Sequence, residues 1–70
     1  MRDPERLTKF YREMRNLHRD NLPDLRIGQL ILNFIGWYES KYHSDFFYLE
    51  DAQFVEKFKE YIHVCNNVPF

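Results

Sequence analysis

The chain lacks most of what usually staples a small domain together. Cys65 is its only cysteine, so no internal disulfide can form. A lone thiol, in a chain whose opening stretch MRDPERLTKFYREM has no apolar signal core, points to a reducing, cytoplasmic setting. No segment has the roughly 18 uninterrupted apolar residues of a membrane span, so no membrane partner is expected. Gly28 and Gly36 are the only glycines, which excludes a glycine-rich phosphate loop. His18, His43, His63 and Cys65 are the candidate soft metal ligands, and no two of them stand at the i,i+4 spacing that brings ligands together on a helix. No metal or cofactor is expected. Catalytic groups are equally sparse. Cys65 falls on an apolar stripe, where cysteine behaves as a small hydrophobe. Ser40 and Ser44 stand in no nucleophile motif, and the adjacent Glu50 and Asp51 suit the start of a helix. The expectation is a protein that is not an enzyme.

What is abundant is aromatic surface. Of 70 residues, 13 are Phe, Tyr or Trp. A single domain of this length removes only about 60% of its unfolded surface from water, which is marginal. Each aromatic can bury on the order of 150–250 Å², so this supply can carry a small core and leave rings over for a partner. Charge is balanced in sum and polarised along the chain. Arg2, Arg6, Lys9, Arg12, Arg15, Arg19 and Arg26 outnumber the acids of the first 26 residues. Glu39, Asp45, Glu50, Asp51, Glu56 and Glu60 outnumber the lysines later on. Such polarity favours oriented contacts.

The periodicity predicts an all-α, compact three-helix domain spanning residues 1–70, with helices at about 4–19, 24–40 and 50–64. Helix 1 opens on Asp3 as N-cap with Pro4 at the first position, and Leu7, Phe10, Tyr11, Met14, Leu17 and His18 share one face. Helix 2 opens on Asp24. It is apolar nearly all round, which predicts a central helix. Arg26, Gln29, Asn33 and Gly36 form its narrow polar edge, with Gly36 marking a kink or an end. Residues 41–49 form an aromatic connector whose rings plug the core. Helix 3 starts near Glu50, with Leu49 and Phe54 spaced as a hydrophobic staple and Gln53 placed as a capping-box partner. Its stripe is Phe54, Val55, Phe58, Tyr61, Ile62 and Cys65. The tail NNVPF should break it, and Phe70 is free to fold back.

Two segments carry a resemblance. Pro23 to Leu30 reads Pro-Asp-Leu-Arg-x-Gly-Gln-Leu, and Phe47 to Asp51 reads Phe-Tyr-x-Glu-Asp. In these the chain resembles small uncharacterised proteins of bacteria and their phages, over roughly residues 5–62. The resemblance implies a bacterial or phage cytoplasmic origin and brings no catalytic residue with it.

The functional expectation is a protein–protein interaction module or small regulator that binds a protein partner or forms a homodimer. Trp37, Tyr38, Tyr42, Phe46 and Tyr48 are the candidate anchors, because aromatics dominate interface hot spots. Arg12, Arg15 and Arg19 would supply charge complementarity. The alternative is a nucleic-acid-binding regulator using the basic face of helix 1, with Arg26, Gln29 and Asn33 reading base edges. A pI near 6.3 and the apolar surroundings of that trio argue against nucleic acid as a partner.

Overall fold

The first helix starts with a tight turn. In the computed structural model, which describes residues 3–67, α1 runs Arg6–Asn21. The Asp3 carboxylate accepts the Glu5 amide at 3.0 Å. The amides of Arg6, Leu7 and Thr8 donate to carbonyls three residues back, at 3.1–3.2 Å. The entry is thus of 3₁₀ type, and the regular helix begins two residues after Pro4. It also ends later than expected, because Asp20 and Asn21 do not break it. Asn21 Nδ2 donates to the Leu17 carbonyl at 2.9 Å, satisfying one of the terminal acceptors. Pro23 sets the stop, since it disfavours helical geometry at Leu22.

Helix α2 runs Ile27–Tyr42. Its N-cap is Arg26 rather than Asp24, because Arg26 is the last residue with extended geometry and the Gln29 carboxamide accepts its amide at 3.0 Å. Arginine has no acceptor to return the bond, so this is half of a capping box. Gly36 neither kinks nor ends the helix, which continues six residues further to Tyr42. It stops at His43, whose left-handed backbone (φ 52°) is the one positive φ among the described non-glycine residues.

The connector folds as a 3₁₀ turn, Phe46–Tyr48. Asp45 caps it by accepting the Phe47 amide at 2.9 Å. Helix α3 follows as Asp51–Asn67. Gln53 accepts the Glu50 amide at 3.2 Å, as the capping-box spacing predicts. Asn66 and Asn67 stay helical, so the expected break does not occur there. Asparagine costs only a fraction of a kcal/mol in a helix, too little to end one that is already packed. Arg2 and Phe70 lie outside the described residues.

Leu30, Phe34 and Phe58 are fully buried and cluster with Tyr61 and Ile62. Met14, Leu17, Leu22, Leu25, Trp37, Phe54 and Cys65 pack around them. Each fully buried large side chain contributes about 1.5–3 kcal/mol. The expectation that helix 2 is central needs correcting. Helix α3 is the element that packs on both others. Its stripe runs unbroken from Phe54 to Cys65, about three turns, whereas α2 leaves Ile27 and Leu32 exposed. Arg26, Gln29 and Asn33 are exposed as well, so the polar edge of α2 does face solvent. At the α1–α2 corner His18 Nε2 lies 2.7 Å from the Leu25 carbonyl oxygen, tying the end of one helix to the entry of the next.

Candidate interaction surface

The rings of the core form a connected ladder. Phe10 meets Phe54 edge-on with centroids 5.7 Å apart, Phe54 meets Phe34 at 5.0 Å, and Phe34 meets Phe58 at 5.2 Å. Trp37 stacks on Phe34 at 6.1 Å, tilts against Tyr61 at 5.5 Å, and presents its edge to Tyr42 at 6.1 Å. Edge-to-face and offset geometries of this kind add to plain burial. Burial, and then contact with Cys65, push the Tyr61 phenol up to about 12.

The ladder ends in a polar clasp between the last turn of α2 and α3. The Tyr42 hydroxyl sits 2.7 and 2.6 Å from the two Glu60 carboxylate oxygens. Lys41 also pairs with Glu60. Lys57 Nζ lies 3.3 Å from the Tyr42 hydroxyl, 3.7 Å from Glu60 Oε2, and 4.4 Å from the centroid of the Tyr42 ring. Hydrogen bonds from Lys41 and then from Tyr42 hold the Glu60 carboxyl below its ordinary value. Lys41 is raised, chiefly by Glu60, and Lys57 is raised, chiefly by Tyr42.

These placements separate the candidate anchors. Tyr38 is 6% exposed, so it is not an available anchor, a correction to the reading of the sequence. Its ring lies 5.0 Å from that of Tyr42, one turn on along α2. Trp37 and Tyr42 are half-buried and committed to the ladder and the clasp. Phe46 is half-buried. Tyr48 is 79% exposed, beside Phe47 at 75%.

The 3₁₀ turn explains the split. With three residues per turn, side chains at i and i+3 eclipse, so Phe46 and Leu49 point the same way. Both are half-buried. Phe47 and Tyr48 must take the other two directions, and their rings meet edge-on at 5.1 Å. The connector therefore does not plug the core: Phe46 is half-buried but is not among the described side chains packed on the central cluster, and Phe47 and Tyr48 are exposed. Phe47 is not among the anchors that the sequence suggests, because a turn of period three leaves no periodic trace in so short a run.

Arg12, Arg15 and Arg19 are all exposed on α1. Arg19 is engaged by the neighbouring Asp20 at 2.8 Å, which raises the guanidinium and lowers the carboxyl. Arg15 donates from Nε and Nη2 to the uncharged Asn16 side chain, at 3.2 and 3.1 Å. Nearer the start of α1, Lys9 pairs with Glu13 at 3.9 Å and Arg6 Nε lies 3.4 Å from Asp51 Oδ2. That last contact sets the first turns of α1 and α3 side by side. Between the two helices runs a shallow groove of about 330 Å³, floored by Phe10, Ala52 and Val55. Asp51 Oδ2 is buried at its edge and has no hydrogen-bond partner among the described residues.

Among the described residues no helix is long and apolar enough to cross a membrane. No family model, curated protein or solved structure matches this chain. A functional reading therefore draws on the sequence and the geometry of this molecule alone.

Proposed function

We propose that the protein is a non-enzymatic protein-interaction module that docks through the corner formed by Phe47 and Tyr48. One observation carries this reading: two adjacent large aromatics are at least three-quarters exposed in a domain whose other rings are mostly packed. They are also held in place. The Asp45 cap and the Leu49 amide bonded to the Phe46 carbonyl at 3.0 Å fix the turn that presents them. A pre-ordered aromatic pair loses little entropy on binding, which is what makes such residues effective anchors. The resemblance drawn from the Pro23–Leu30 and Phe47–Asp51 segments supports a bacterial or phage setting, and the lone thiol supports a reducing one. The nucleic-acid alternative is weakened by the carboxylates that pair with Arg6, Lys9 and Arg19, since ions already neutralised release fewer counterions from a phosphate backbone.

Photo-crosslinking tests the reading. With p-benzoylphenylalanine in place of Phe47, a discrete protein adduct should form in the producing cell. The same residue at exposed His63 on α3 should give none. No adduct at position 47, or equal labelling at both positions, would reject the corner as a docking site.

A further inference from the structure

We infer that the outer face of α2 is a self-association surface, on which a second copy of this chain packs its own α2 antiparallel, each Leu32 seated at the partner's Gly36. This face is separate from the Phe47–Tyr48 corner. At 3.6 residues per turn Leu32 stands on the side of α2 opposite the fully buried Leu30 and Phe34, and it is 72% exposed. Gly28 and Gly36 lie one turn before it and one turn after it. Both are exposed, and a Cβ at either would meet nothing within 4 Å among the described residues. Half-buried Ile35 widens the apolar strip beside them. A single exposed leucine is ordinary on a protein surface. A leucine that projects between two open sockets on its own i±4 row is self-complementary, because such rows are what helices interdigitate when they pack. With a second α2 running antiparallel and centred midway between Leu32 and Gly36, each leucine enters the socket of the other copy. One two-fold axis makes the contact twice.

The polar groups of the same face select the occupant and its direction. Exposed Gln29 spends its carbonyl oxygen on the Arg26 amide, at 3.0 Å, which leaves its NH₂ group to donate outward. Exposed Glu39 lies near the other end of α2, and its carboxylate makes no hydrogen bond or ion pair among the described residues. In the antiparallel register Gln29 comes level with the partner's Glu39, so the amide donates to that carboxylate. The Arg26 guanidinium, which makes no ion pair among the described residues, stands one turn before Gln29 and reaches the same carboxylate. A parallel pair would instead set like charge against like charge at both ends, and would align the two helix dipoles unfavourably. The match required is an α2 with the opposite charge at the opposite end, and this chain supplies it. The 16 residues of α2 span about 24 Å. A helix pair of that length buries on the order of 1,000 Å² in all, the lower end of specific interfaces, so the dimer is a weak, reversible one.

Sedimentation equilibrium over a concentration series tests the inference. At low salt the weight-average mass should rise from the monomer's 8.7 kDa toward twice that value, with half-dissociation in the micromolar range. Leu32→Gln removes the projection and Gly36→Gln fills the socket, and each should weaken association about tenfold or more. Glutamine matches leucine and surpasses glycine as a helix former, so circular dichroism should show both variants folded. Arg26→Glu and Glu39→Arg should each weaken association several-fold, an effect that added salt reduces. An equimolar mixture of those two variants should associate more tightly than either alone, because every charge contact in the mixed pair joins opposite signs. The corner variant Phe47→Ser, Tyr48→Ser should dimerise like wild type, which keeps this outcome distinct from that of the crosslinking at position 47. A monomer at every concentration, a dimer indifferent to Leu32 and Gly36, a mixture no tighter than its parts, or a corner variant that fails to dimerise would each overturn the inference.

Discussion

Two groups of rings in this molecule are of like chemical kind and have opposite surroundings. Between α2 and α3, Phe34, Phe58, Tyr61 and Trp37 interlock and end in the Tyr42–Glu60 clasp. At the connector, Phe47 and Tyr48 meet each other and water. Residue type alone does not distinguish them. Backbone period does: at 3.6 residues per turn a helix repeats one face and buries a stripe, whereas a 3₁₀ turn sends three consecutive side chains in three directions. The first arrangement makes aromatics structural. The second leaves two of three available to something else.

If that division is right, mutations should sort by region. The largest effect belongs to Phe34→Ala, which opens a cavity at the junction of the ladder. The expected loss is about 3–5 kcal/mol, against a total that is about 5–15 kcal/mol for natural domains and low in that range for one this small. Urea titration followed by circular dichroism should show a mostly unfolded chain or one without a cooperative transition. On the solvent side of the same helix, Gly36→Ala should act in the opposite direction. The added Cβ meets nothing within 4 Å among the described residues, so helix propensity decides. A gain of about 1 kcal/mol is expected as a higher urea midpoint.

The clasp gives an intermediate and pH-dependent effect. The folded Glu60 carboxyl lies below its ordinary value of 4.5. Its contribution is therefore complete above that pH and is lost as pH falls through the lowered folded value. Glu60→Gln should have a lower urea midpoint than wild type at pH 7, and the gap should close on acidification as the wild-type carboxyl protonates. A gap independent of pH would mean that Glu60 acts through packing rather than charge. Screening at a partly exposed site keeps this effect well below that of Phe34.

Much of this arrangement was legible beforehand, and the misses have physical causes. Three helices, the α3 stripe and the Gln53 cap followed from 3.6-residue spacing and capping chemistry. The start of α2 was misplaced because Asp24 is the better cap by residue type, while the Gln29 side chain serves the amide of Arg26 instead. Tyr38 reads as an anchor because it leads into the connector, but it continues the row of Leu30 and Phe34 at steps of four along α2 and is buried with them. Phe47 was passed over for the reason already given. Arg12, Arg15 and Arg19 were correctly expected on an open face of α1, yet only the structure shows that Asp20 occupies Arg19.

The smallest predicted effect tests the central claim most directly. The urea unfolding free energy of the double variant Phe47→Ser, Tyr48→Ser should be measured at a concentration well below that of any self-association. Surface changes usually stay within about 0.5 kcal/mol, and the double variant should fall in that range with an unchanged m-value. A loss of about 2 kcal/mol or more would show that the corner supports the fold, and would remove the reason for assigning these two rings to a partner.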